Sequence, residues 1–125
     1  MRGSGISRLG RLTRRPEFLR VARTRRKAVM PGLVLQASPM PAGTEGPAPR
    51  IGLTASRKVG NAVMRNRARR RLRAAAHDVL LPRMGEPMDY VLIARAATVS
   101  RPFDQLVGDL RTCLARVSGQ REPRQ

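Results

Sequence analysis

The sequence predicts a single α/β domain in which a few short strands pack against three helices. Hydrophobic residues make up 41% of the 125 residues, which is enough to fill one core. Two segments alternate between apolar and polar residues, as half-buried strands do, and two longer segments repeat apolar residues every three or four positions, as helices do. We expect the domain to span residues 14–118, between a flexible basic arm at 1–13 and a disordered tail at 119–125.

The first half of the chain is predicted to contain one helix and two strands. A short helix at 16–25 is indicated by Thr13 as its cap and Pro16 in its first turn. Strands follow at 33–38 and 51–56, where apolar residues alternate with small or polar ones.

The second half is predicted to contain the longest helix, a third strand and a last helix. Residues 39–49 hold four prolines and two glycines, which indicate a loop before that helix. The longest helix begins at Asn61, a good N-cap residue, and ends at Pro82. A strand at 89–95 and a helix after Pro102 complete the domain. The apolar stripe of the longest helix comprises Met64, Ala68, Leu72, Ala75 or Ala76, and Val79; that of the last helix comprises Phe103, Leu106, Val107, Leu110, Leu114 and Val117.

Positive charge dominates the composition. Twenty-six lysines and arginines stand against eight acids, so the formal net charge is +18. Self-repulsion on this scale destabilises a compact fold and therefore predicts a polyanionic partner. Lys27 and Lys58 are the only lysines. The arginines that make up the rest suit phosphate oxygens, which a guanidinium group contacts through paired N–H donors.

The cysteine content and the apolar runs limit the compartment and the kind of site. A single cysteine, Cys113, permits neither an internal disulfide nor a cysteine-based zinc site. No secretory signal is recognised, so we expect a reducing, cytoplasmic location. Apolar runs are only a few residues long, and no membrane-spanning segment is predicted.

One segment concentrates the positive charge. Residues 57–73 read RKVGNAVMRNRARRRLR and contain eight cations and no acid. Arg65, Arg69 and Arg73 would form a row along a helix, where like charges cost roughly 0.2–0.5 kcal/mol per pair unless they are neutralised. Free N–H groups at the helix start near Asn61 also favour an anion. Because solvated helix faces normally mix both signs, this segment predicts contact with RNA or DNA.

The same segment resembles the signature of the bacterial ribonuclease P protein family, its RNR motif. The likeness runs from Arg57 through Arg73. Three flanking segments agree in order and spacing: RRPEF at 14–18 is similar to the family's first helix, IGLTAS at 51–56 to the strand before the motif, and DYVLIAR at 89–95 to the strand after it. The resemblance covers roughly residues 9–117.

The resemblance implies a more specific fold than the residue pattern does. The family has a helix, three strands, a helix, a strand and a helix, with a four-stranded sheet. Its strand–helix–strand crossover is left-handed, contrary to the usual preference. The family's additional strand would lie near 27–30, where the pattern alone indicates none.

The resemblance also implies a function. The chain would be the protein subunit of an endoribonuclease that removes the 5′ leader from precursor tRNA. Catalysis would belong to the RNA subunit, and the holoenzyme would require Mg²⁺ while the protein alone would bind no cofactor or metal. Its partners would be ribonuclease P RNA of the M1 type, in a 1:1 complex, and the leader, with no protein partner and no membrane. The residues agree, since the acids show no paired spacing suited to metal or acid–base chemistry. His77 is interpreted as a surface or packing residue and Cys113 as a packing residue.

Two contact surfaces are implied by the same resemblance. The residues expected to contact the catalytic RNA are Arg57, Lys58, Asn61, Arg65, Asn66, Arg67, Arg69, Arg70 and Arg73. The residues expected to line a cleft for the single-stranded leader, between the first helix and the sheet, are Phe18, Arg14, Arg15, Arg20, Gln36, Thr54 and Ser56. Phe18 fits core packing equally well. Many members carry aromatic residues where this chain has Ala22 and Gln36, so arginines and a polar sheet face would hold the leader more than base stacking would.

Three other classes of protein fit the composition. A structural ribosomal protein would share the small size and the basic helix, and only the motif argues against it. A nucleoid or DNA-binding protein fits less well, because no helix-turn-helix spacing or dimerisation face is apparent. A membrane-active cationic helix fits least, because the apolar stripe of the longest helix is narrow and rich in alanine.

Overall fold

A computed structural model describes residues 8–119. The helices are α1 (Arg15–Arg23), α2 (Ala62–Leu80) and α3 (Phe103–Gly119). The strands are β1 (Gly10–Arg11), β2 (Arg26–Met30), β3 (Leu33–Pro39), β4 (Arg50–Thr54) and β5 (Met88–Ala94). Short 3₁₀ turns precede α2 at Arg57–Val59, follow it at Leu81–Arg83, and precede α3 at Ala96–Val99.

The strands form one mixed sheet in the order β1-β4-β5-β3-β2. β4 is parallel to β5, and α2 joins these two neighbours, so the predicted strand–helix–strand unit is confirmed. β3 is antiparallel to both β5 and β2. The strand that the family resemblance places near 27–30 is therefore present as β2.

Helices cover both faces of the sheet. α2 and α3 pack on one face over the main core, to which β3 contributes Leu33, Leu35 and Ala37, all fully buried. α1 packs on the other face over a smaller cluster formed by Leu12, Val21 and Val91. The described elements therefore form a single three-layer domain, with the sheet between its helices.

The prediction of a flexible basic arm is wrong for residues 8–13. β1 runs parallel to β4, with the Gly10 N–H donating to the Pro49 oxygen and the Leu12 N–H to the Ile51 oxygen, each at 2.9 Å. Leu9 and Leu12 are buried. The sheet consequently has five strands instead of four, and a two-residue strand is too short to show an alternating pattern. Residues 1–7 of the predicted arm and 120–125 of the predicted tail lie outside the described residues.

Helix starts follow the predicted chemistry in one case and depart from it in another. Asn61 caps α2 as predicted, since its Oδ1 accepts from the Met64 N–H at 3.0 Å. The start of α1 is held by Glu17 instead of Thr13, because the Glu17 Oε1 accepts from the N–H groups of Thr13 and Arg14, both at 3.0 Å.

Two residues assigned to apolar stripes are exposed. Met64 and Phe103 lie in the first turns of their helices, and the buried stripes begin one turn later, at Ala68 and Leu106. A helical period identifies the apolar face but not how far the opposing layer extends along it. No helix within residues 8–119 is both long enough and apolar enough to cross a membrane.

Candidate nucleic-acid interface

The local fold turns the basic segment outward. Before α2, the Ser56 Oγ accepts from the Lys58 N–H at 3.3 Å and so caps the 3₁₀ turn. Gly60 follows with φ at 147°, a backbone conformation that side chains disfavour. α2 then buries its alanine and leucine stripe, including Ala68 and Leu72, against the sheet and α3. Most of the intervening cations, such as Arg70 and Arg73, are left exposed on the outer side of the helix.

The predicted RNA-contacting residues lie on α2 and on the short segment before it. Arg65 and Arg69 are half-buried, and the remaining seven residues of that set are exposed. The described residues provide no carboxylate that pairs with any α2 arginine. Four acids elsewhere are engaged by arginines of the scaffold, namely Glu17, Glu86, Asp89 and Asp109; Asp109, for example, accepts from Arg101 at 2.6 Å. From Arg65 to Arg73 the surface of α2 therefore carries only positive charge, and the acid Asp78 follows only near the end of the helix.

Not every cation of the segment is directed to solvent. Arg71 donates from Nε to the Thr98 oxygen at 2.9 Å and also donates to the Arg101 oxygen, which ties α2 to the turn before α3. Arg67 donates from Nε to the Val99 oxygen at 3.1 Å. Arg71 was not among the predicted RNA-contacting residues, but its partners could not be identified from the sequence, because they lie about thirty residues further along the chain.

A side-chain pair orients one arginine of the outer row. The Arg69 Nη1 donates to the Asn66 Oδ1 at 3.0 Å, so the amide holds one edge of the guanidinium group and leaves its other N–H donors available. Arg69 and Arg73 lie one turn apart and both face a groove between α2 and β1.

The residues proposed for the leader lie on the opposite face of the sheet. The strand register forms two rows of neighbouring residues across β3, β5 and β4. One row consists of Gln36, Val91 and Gly52, and the next consists of Val34, Ile93 and Thr54. Phe18 packs over Gly52 on this same face, and its side chain is half-buried. The structure thus places Phe18, Gln36 and Thr54 on one face of the sheet, whereas Ser56 lies beyond the end of β4.

An ion-pair network fixes α1 on this face. Asp89 is fully buried and accepts from Arg50 at 2.8 and 2.7 Å. It also pairs with Arg20, which donates in addition to the Ser38 hydroxyl at 3.1 Å. The hydrogen bond to Asp89 raises the pKa of the Arg50 guanidinium. Arg20 was expected to contact the leader together with Arg14 and Arg15; the structure engages Arg20 within the fold, while Arg14 and Arg15 are exposed.

Sequence reasoning missed Arg50 and Asp89 as a pair. They lie 39 residues apart, and only the parallel register of β4 and β5 places them opposite each other. The sequence offered one signal, the acid Asp89 at the start of a predicted strand in a chain that has few acids. That signal does not identify the partner of Asp89.

The histidine, cysteine, aspartate and glutamate side chains form no metal centre in the part of the chain that the structure describes. There, no group of three or more His, Cys, Asp or Glu residues could hold a metal ion. Cys113 is buried in the main core, with its Sγ 3.6 Å from the Ala28 oxygen, and burial raises the pKa of its thiol to about 11. Its interpretation as a packing residue is confirmed. His77 is half-buried on α2, beside the groove that Arg69 and Arg73 face.

Comparison with known proteins identifies relatives over nearly the whole chain. Residues 6–118 match the sequence profile of the Ribonuclease P family. The ribonuclease P protein component of Paramagnetospirillum magneticum is 50% identical over 113 residues, which are 89% of this chain and 84% of that protein. The component of Ruegeria pomeroyi is 51% identical over 116 residues, 91% of this chain and 88% of that protein.

Solved structures share the fold. The ribonuclease P protein of Thermotoga maritima superposes with a TM-score of 0.69 at 20% identity, covering 89% of this chain and 98% of that one. The protein of Staphylococcus aureus superposes with a TM-score of 0.66 at 22% identity, covering 84% of this chain and 92% of that one.

Proposed function

The chain belongs to the ribonuclease P protein family, and we propose that it binds a catalytic RNA of the M1 type in a 1:1 complex and assists that RNA in removing the 5′ leader from precursor tRNA. Endonucleolytic cleavage is assigned to the RNA. The ribosomal, nucleoid and membrane-active alternatives have no comparable support, because the match extends across the whole domain and not only across the basic helix.

One observation carries this proposal. The segment 57–73 places eight cations on and before α2 with no acid among them, and none of the α2 arginines has a carboxylate partner among residues 8–119. Such a surface repels itself unless phosphates neutralise it. Arg69, oriented by Asn66, and the exposed Arg70 and Arg73 are assigned to backbone contacts with the RNA.

The leader is assigned to the α1 face of the sheet. Phe18 offers a half-buried ring on which one base can stack, and Gln36 and Thr54 offer donors and acceptors beside it. Arg14 and Arg15, exposed at the start of α1, supply the phosphate contacts. Arg20 acts through Asp89 to position α1 and is not assigned a leader contact.

Mg²⁺ is assigned to the RNA of the holoenzyme and not to the protein. The described acids do not converge into a metal site, and those that are buried, Asp89 and Asp109, are already paired with arginines. The protein's contribution is to reduce repulsion between the two RNAs, so less Mg²⁺ should be needed in its presence.

Reconstitution tests the proposal. Purified protein is mixed with its cognate ribonuclease P RNA transcript and precursor tRNA at low Mg²⁺, and cleavage is followed with and without protein. Strong stimulation that yields mature 5′ ends, with no cleavage by protein alone, is the expected result. No stimulation with a well-folded RNA would overturn the subunit role, and cleavage by protein alone would overturn the assignment of catalysis to RNA.

A further inference from the structure

A groove of about 370 Å³ lies between β1 and α2, on the face of the sheet opposite α1. Its floor is apolar and consists of Leu9 from the chain before β1 together with Ile51 and Leu53 from β4. Leu9 and Ile51 are buried, and Leu53 is half-buried. The volume falls within the range of roughly 300–1,000 Å³ that is common for small-ligand sites.

The rim of the groove is cationic on both sides. Arg69, Arg73 and His77 project from α2 at intervals of four residues, which places them on one face of the helix. Arg8 and Arg11 form the opposite rim. The lining includes no acidic residue.

This combination of floor and rim selects one kind of occupant. A free phosphate would use the arginines but not the apolar floor, and an apolar peptide would use the floor but not the arginines. A nucleotide uses both, because its base has an apolar face and its phosphates suit guanidinium groups. A base can reach such a site only where it is unpaired and turned out of an RNA helix.

We propose that this groove binds one unpaired nucleotide of the catalytic RNA, with its base on Ile51 and Leu53 and its flanking phosphates on Arg11 and Arg73. This rests on the proposed function. The source is the catalytic RNA instead of the leader, because Arg69 and Arg73 belong to both the groove and the outer surface of α2. The leader face at Phe18 lies across the sheet.

A matched pair of charge reversals tests the rim. Arg11→Glu changes the groove, whereas Arg111→Glu makes the same change of charge at an exposed position on α3. Binding of each full-length variant to the cognate transcript is measured over a range of salt concentrations. Arg11→Glu should weaken RNA binding about tenfold more than Arg111→Glu does. It should also reduce the slope of log affinity against log salt concentration by about one unit more than Arg111→Glu does. Equal effects of the two substitutions would overturn the proposal.

A second variant tests the floor. Leu53→Ser, checked for cooperative thermal unfolding, should weaken RNA binding several-fold while leaving the salt slope unchanged, because an apolar contact releases no counterions. If a folded Leu53→Ser variant binds the RNA with unchanged affinity, the base does not contact the apolar floor and the proposal is overturned.

Site-directed crosslinking tests the groove without altering the fold of β1. A photoreactive label is attached to His77→Cys, and to Ala22→Cys on the exposed side of α1 as the control. The label at position 77 should crosslink to one or two adjacent unpaired nucleotides of the catalytic RNA. Crosslinks from position 77 to the leader, to base-paired RNA only, or to no RNA would each overturn the proposal.

The two proposals fail in different ways. If wild-type protein does not stimulate cleavage, the subunit role itself is wrong. If wild-type protein stimulates cleavage but Arg11→Glu and Arg111→Glu bind RNA equally, only the nucleotide groove is wrong.

Discussion

The ring of Phe18 lies directly on Gly52. A Cβ at position 52 would be 2.5 Å from the Phe18 Cε2 and 2.7 Å from its Cζ, closer than any real Cβ contact. Gly52 therefore allows α1 to approach β4, and the ring packs with the Leu12, Val21 and Val91 cluster. Phe18 is thus a packing residue whose side chain is half-buried.

Gly52→Ala should lower the free energy of unfolding by about 1–3 kcal/mol, because the Phe18 ring must leave its place. Urea titration measures this. Gly108→Ala is the control, since a Cβ there meets nothing within 4 Å and should stabilise α3 by up to about 1 kcal/mol. In a Phe18→Ala background the cost of Gly52→Ala should largely vanish; if it persists, the ring is not the cause.

Asp89→Asn should be strongly destabilising. The carboxylate is fully buried between Arg20 and Arg50, and removing its charge leaves Arg20 without its counter-ion and Arg50 with Glu17 alone. Breaking such a buried pair typically costs about 3–5 kcal/mol. Asp78→Asn, at an exposed position, should change stability by no more than about 0.5 kcal/mol. Comparable unfolding midpoints for the two variants would contradict the network.

Glu17 should make stability depend on acid pH. The Arg14 N–H, then the Thr13 N–H and the Arg50 guanidinium, lower the pKa of this carboxyl from its ordinary value of 4.5. Because the folded pKa is depressed, the contribution is complete above 4.5 and is lost as pH falls through the lowered value. The stability gap between wild type and Glu17→Gln, measured by urea unfolding from neutral to acid pH, should close in that window. A gap independent of pH would argue against the carboxylate cap.

Arg69→Ala and Arg71→Ala should have opposite profiles although the residues are near neighbours. Arg69 faces the groove and outer surface, so its loss should weaken RNA binding and reduce the log–log salt slope by about one, with little effect on stability. Arg71 bonds two backbone oxygens before α3, so its loss should lower the unfolding midpoint and leave the salt slope intact. Salt-dependent binding and thermal unfolding of both variants separate the roles; an unchanged affinity for Arg69→Ala would remove it from the interface.

Cys113 should resist thiol reagents in the native protein. Its side chain is fully buried, and burial raises the pKa of the thiol to about 11, so little reactive thiolate exists at neutral pH. Labelling of Cys113 with a chromogenic disulfide should be slow in buffer and rapid in urea. Because native Cys113 reacts slowly, cysteines introduced at the surface should be labelled selectively. Rapid native labelling would show that α3 opens readily.

Long periodic segments could be predicted from the residues alone. α2 and α3 and the strands β3, β4 and β5 were located by their apolar patterns, and Asn61 was identified as a cap from its type and position. β2 was supplied only by the family resemblance, and β1 was missed. Both have too few inward-facing residues to establish a period.

By itself, the sequence determined that this chain has enough apolar residues to form a core, a long helix whose first half carries cations and no acid, and the motif of its family. These properties are local, because a helix face or a cap is set by residues a few positions apart. Only the tertiary structure decided which cations are free. Arg20, Arg50 and Arg71 are engaged by partners 18 to 69 residues away, and Arg11 and Arg73 line one groove that exists because β1 joins the sheet. Guanidinium groups are identical in the sequence, and their roles differ only through the distant oxygens that the fold places beside them.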